Sequence, residues 1–156
     1  MSKLTKLISI FTIAISIFAL TACGPSKEEQ YNTLKQETIK LSEEVYQLYK
    51  TPNDNYVTRS HDGKYTKEDQ QKKMALSIQE FKEADNKAIE KMPTIEKNVG
   101  KMKELTKDNV NLANDYNKTI EQIKANTYKH INSRKNRWKK LGYEIPNDWK
   151  TIEPKF

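Results

Sequence analysis

The side chains best suited to proton transfer, nucleophilic attack or metal binding are few in this sequence. His61, His130 and Cys23 are the only imidazoles and the only thiol in 156 residues. A histidine acid–base centre needs a second group held against the ring, and a zinc site needs three or four N and S ligands. The two histidines stand far apart in different segments, and Asp62 beside His61 falls in a turn-rich stretch with no nucleophile near it. No HExxH, GxSxG, P-loop or dinucleotide fingerprint occurs. A calcium loop forced onto Thr58, Ser60, Asp62, Gly63 and Asp69 lacks the first Asp and the final Glu of such loops. The carboxylates are dispersed among lysines, as on solvated helix faces, with no pair set apart for hydrolysis. The expectation is a non-enzymatic protein with no catalytic residue, no metal and no cofactor.

Cys23 has a different chemistry written around it. Lys3 and Lys6 precede Leu7–Leu20, a run of 14 residues without charge. About 20 apolar residues are needed to cross a bilayer, so this run reads as the core of a signal peptide. It ends in Leu20-Thr21-Ala22-Cys23, which resembles the lipobox of bacterial lipoproteins. The resemblance implies a diacylglyceryl thioether on the Cys23 sulfur, possible N-acylation, and cleavage before that residue. Residues 1–22 are then the leader and 23–26 a short tether. The implied location is the outer face of a cell membrane, most simply a Gram-positive one. A single acyl chain anchors marginally at roughly 0.8 kcal/mol per methylene, whereas two chains hold. The lone thiol is consumed by lipid, and no disulfide can form.

The third chemical feature is charge. Removing Lys3 and Lys6 from 28 basic residues leaves 26 against 21 acidic, a net +5 from Cys23 onward. Between Gln122 and Tyr143 there is no acid, and Lys124, Lys129, Arg134, Lys135, Arg137, Lys139 and Lys140 supply a local +7. With Trp138 and Trp149 these cations form the candidate binding set for an anionic partner: a surface protein, a wall polymer or lipid head groups. Nucleic acid is a poor match for an exported chain. The competing reading is a solvated helix end whose cations suit the dipole. The function that follows is a membrane-anchored binding or accessory module; the alternatives are a structural spacer at the membrane surface and a precursor of a leader-derived signalling peptide.

The elements that must position these groups are helical. Only four glycines and five prolines occur, and 31% of residues are charged, which suits an all-α domain and not a turn-rich sheet. Ser26 with Glu29 makes a capping box before Tyr31, Leu34, Thr38, Leu41, Val45 and Leu48, a seam spaced by three and four. That predicts a helix over 27–50, stopped by Pro52. A small hairpin pairing Tyr56-Val57-Thr58 with Lys64-Tyr65 around Asp62-Gly63 is a further expectation. Thr66 caps a second helix over 66–92, burying Met74, Ile78, Phe81, Ala88 and Met92, with Asp85 leaning to the rim. Pro93 ends it. A third helix over 94–141 carries Val99, Leu112, Ile123, Ile131, Trp138 and Leu141 inward and stops at Gly142. The predicted fold is an elongated three-helix bundle or hairpin over 27–141 with a non-helical aromatic tail, 142–156, packed back on it or free to bind. A break in the third helix at 106–109, capped by Asp108, is the alternative; an unbroken helix points the basic end outward, and a break returns it toward lipid.

Overall fold

The computed structural model describes residues 24–61, 63, 66–153 and 155–156. The leader, Cys23 and most of the predicted hairpin turn lie outside the described residues. Within them the chain is all-helical, four helices packed together without a strand: α1 Lys27–His61, α2 Lys67–Leu105, α3 Val110–Asn126 and α4 Ser133–Lys140.

Both prolines fail to stop their helices. Proline removes one helical hydrogen bond and crowds the turn before it, a cost of about 3 kcal/mol in a helix interior. Pro52 is buried and α1 continues through it to His61. Pro93 is exposed, and the apolar stripe of α2 continues past it in phase: Met92, Ile95, Val99 and Met102 are all almost fully buried. Packing on both sides of each proline outweighs the local penalty. Tyr56 to Thr58, expected as the first hairpin strand, are therefore helical.

The reversal expected at Pro93 falls instead at Thr106–Asn109. Asn109 is the N-cap of α3, accepting from the Asn111 and Leu112 amides at 3.1 Å. Asp108, the expected cap, instead pairs with Lys27 at 3.3 Å. A second interruption divides the predicted third helix at Thr127–Asn132, where Asn132 takes a left-handed φ of 62°. Asparagine tolerates that region better than other residues with a Cβ. The single helix over 94–141 is thus corrected to the end of α2, α3 and α4.

Cross-chain pairs give the topology. Sequence separation falls along α1 and α2 from Glu44–Lys91 through Tyr49–Asp85 to Arg59–Ser77, so these helices are antiparallel. Between α1 and the α3–α4 limb it stays between 80 and 84 residues: Lys27–Asp108, Tyr31–Asp115, Lys35–Asp115, Ser42–Asn126 and Asn53–Arg134. Those two limbs run parallel and in step. The chain rises, descends and rises again, so α4 finishes at the end of the bundle away from Lys27. The anticipated coupling of a break near 107 to a return of the basic end is overturned, because the break replaces the turn at Pro93 and adds no further one.

The last residues are not helical and run back along α2. Asp148 meets Lys82, the Lys150 amide meets Asn86, and Lys155 meets Glu96. From Lys82 to Glu96 α2 advances about 21 Å, the length along which the tail makes these contacts. Trp149 is buried, and Ile152 and Phe156 pack against the core.

Candidate functional site

The acid expected at the rim, Asp85, is 1% exposed and is the point where four segments meet. Its carboxylate accepts the Tyr49 hydroxyl at 2.5 Å, the Trp149 indole N–H at 2.7 Å and the Asn132 backbone N–H at 3.3 Å. A buried carboxylate without donors would lose several kcal/mol of hydration, so the donors are what allow it there. Burial pushes its pKa up, and the bonds from Tyr49, Trp149 and Asn132 oppose that shift. The donors arrive from α1, the tail and the α3–α4 junction. Asp85 is a structural knot, and the only signal for it in the sequence was an acid on an otherwise apolar stripe.

His130 sits nearby without joining it. Its ring stacks on Tyr49 at 5.4 Å and meets the edge of Tyr46 at 5.2 Å. Burial first, and then the neighbouring Lys129, lower its pKa. Among the described residues no three His, Cys, Asp or Glu side chains come together as a metal site.

The candidate binding residues divide into two groups. Trp138 and Trp149 are 1% and 2% exposed, with ring centroids 6.2 Å apart, and so belong to the core, out of a partner's reach. Arg134 lies over Tyr56 at 4.7 Å and bonds Asn53 Oδ1 at 3.3 Å. Lys135 ties the tail through the Trp149 carbonyl and the Thr151 hydroxyl. Lys124 pairs with Glu121 at 3.2 Å. These three cations are spent within the protein. Lys129, Arg137, Lys139 and Lys140 are exposed and have no ion pair among the described residues. They fan over the outside of the α3–α4 limb.

The far end also carries apolar groups that the sequence pattern assigned elsewhere. Leu141, expected inward, is 63% exposed because α4 ends at Lys140 and Gly142 turns the chain with φ +80°. Tyr143 follows and stands between two clefts of about 240 and 500 Å³, both lined in part by Met74. Only the Gly142 turn signal could have located this tip.

No family model matches the chain, and no curated protein or solved structure is similar to it. Among the described residues no helix is long and apolar enough to cross a membrane.

Proposed function

We propose that this protein is a lipid-anchored, non-enzymatic module on the outer face of the cell membrane that presents a basic end to an anionic partner. Cys23 carries the lipid in this reading. The observation that supports it is the in-step parallel course of α1 and the α3–α4 limb, with Trp138 opposite Tyr56. From Lys27 to Tyr56 α1 advances about 44 Å. Screening reduces charge effects beyond about 8 Å at physiological salt, so an upright bundle holds Arg137, Lys139 and Lys140 outside the reach of its own membrane's head groups. Four exposed cations that do not converge on a pocket suit a flexible anionic envelope polymer better than a small ligand; an acidic protein surface is the other partner of that chemistry.

The test is crosslinking and polymer retention on intact cells with Arg137, Lys139 and Lys140 changed to Glu and Lys135 left in place. Loss of a retained polymer or protein adduct, with unchanged helicity and membrane retention, supports the module. Equal behaviour of both forms refutes it and leaves the spacer reading, which the two long helices favour. Cys23→Ala, which should release the protein from the membrane, tests the anchor separately.

A further inference from the structure

We propose a second interaction surface, independent of the basic end: the furrow between α2 and α3 beyond Phe156 seats an extended segment of a partner protein that alternates carboxylates with apolar side chains. The groove between α2 and the α3–α4 limb already holds one non-helical segment. The tail lies in its upper part, sinking Trp149, Ile152 and Phe156 inward while its backbone bonds to side chains: Asn86 accepts the Lys150 amide, the Tyr128 hydroxyl accepts the Lys155 amide, and Asn132 Nδ2 donates to the Ile152 carbonyl. Below Phe156 the furrow continues as a cleft of about 880 Å³ whose apolar walls include Val99, Tyr116 and Ile120. Its lining continues the path that the tail follows, with Lys155 and Phe156 at its upper edge.

The α2 wall of this cleft is built from the residues a helix tolerates least. Pro93 and Gly100 both line it. Seven residues apart, they share one face, two turns from each other. A Cβ at Gly100 would meet nothing within 4 Å, so packing inside the protein does not demand glycine there. Glycine in a helix interior weakens it by about 1 kcal/mol relative to alanine, and without a Cβ it leaves a notch in the α2 wall that lets another backbone come close. Charge selects the approaching chain. Glu96 and Glu121 in the lining are paired with Lys155 and Lys124, whereas Lys97 and Lys103, on either side of Gly100, have no ion pair among the described residues. An extended chain presents alternate side chains to opposite sides, so leucine-type residues would enter the cleft while the intervening carboxylates stay at its rim, within reach of the exposed Lys97 and Lys103.

The Gly100 amide is a built-in probe, since the sequence has only four glycines. 15N-labelled protein from Gly24 onward, which holds the whole described bundle, would be titrated with a synthetic peptide alternating glutamate and leucine. The expected result is a saturable shift of the Gly100 amide and its neighbours across the cleft. Binding should weaken by at least about tenfold in Gly100→Leu, whose side chain projects into the cleft and favours the helix, and should persist in the Arg137, Lys139 and Lys140 to Glu variant. An unmoved Gly100 resonance, equal response to a lysine–leucine peptide, or equal affinity in Gly100→Leu would overturn the proposal. So would the same shifts with inorganic polyphosphate, which would make the cleft a general polyanion site. Shifts that follow protein concentration alone would assign the cleft to a second copy and overturn it too.

Discussion

The Trp149 indole donates to Asp85 at 2.7 Å across 64 residues of sequence, and this bond fastens the tail to the middle of α2. Because Tyr49 and Asn132 share the same carboxylate, position 85 governs the tail, α1 and the α3–α4 junction together.

Asp85→Ala should leave three buried donors without an acceptor. At about 1–3 kcal/mol for each unsatisfied group, and with some relaxation, the loss of stability should be about 3–5 kcal/mol. Denaturant unfolding measures it, and a red shift of tryptophan emission at low denaturant would report the tail leaving first. A loss under about 1 kcal/mol would mean that the donors find water and that the knot is not a fastening.

Lys135 and its helical neighbours should separate cleanly. Lys135→Glu sets a carboxylate against the Trp149 carbonyl and the Thr151 hydroxyl and should lower the melting temperature, by about 1–3 kcal/mol in stability. Arg137, Lys139 and Lys140, changed singly to Glu on the exposed side of α4, should each stay within about 0.5 kcal/mol. Thermal melts of the four variants decide this, and equal effects would contradict the division into spent and free cations.

The protein should lose stability as pH falls through the histidine range. The pKa of His130 is lowered in the fold, so the unfolded chain binds the proton more readily than the native one. Stability then rises with pH from the depressed native value up to the ordinary value near 6.5 and is flat above it. His130→Phe should keep the stacking on Tyr49 and remove that slope. Asp85 acts oppositely. Its raised pKa means the fold takes up the proton first, so this group adds stability as pH falls through its native value toward about 3.9. Asp115, held low chiefly by its bond from Lys35, works against it, losing its contribution as pH falls below that ordinary value.

Gly100→Ala should stabilise by about 1 kcal/mol, a few degrees in melting temperature, since the added methyl meets no neighbour. Destabilisation in a thermal melt would show that the residue serves the bundle's own packing, and would remove one support for the cleft.

Short-range signals carried much of the fold into the sequence. Ser26 and Glu29 form the reciprocal cap at the start of α1, Thr66 and Asp69 do so for α2, and Tyr31, Thr38 and Val45 are buried as their spacing requires. What misled was proline treated as an absolute stop. Its penalty is local, whereas the stripe from Met92 to Met102 gains burial over several turns, and only the packed partner reveals that. The break at Thr127–Asn132 left no breaker to read, for its cause is Asn132 reaching Asp85 and Ile152 from distant segments. The basic run was legible as charge, but not its division: nothing local says that Arg134 rests on Tyr56 while Lys139 faces solvent.

The return course of the tail has a practical side. Phe156 lies against Tyr128, with ring centroids 4.9 Å apart, on the flank of the bundle well below the tip. A fluorophore or affinity tag fused after Phe156 would therefore emerge beside Glu96 and overhang the α2–α3 furrow, masking the surface it was meant to report on. Reporters belong instead on the exposed side of α1, for example at Lys50, which faces solvent.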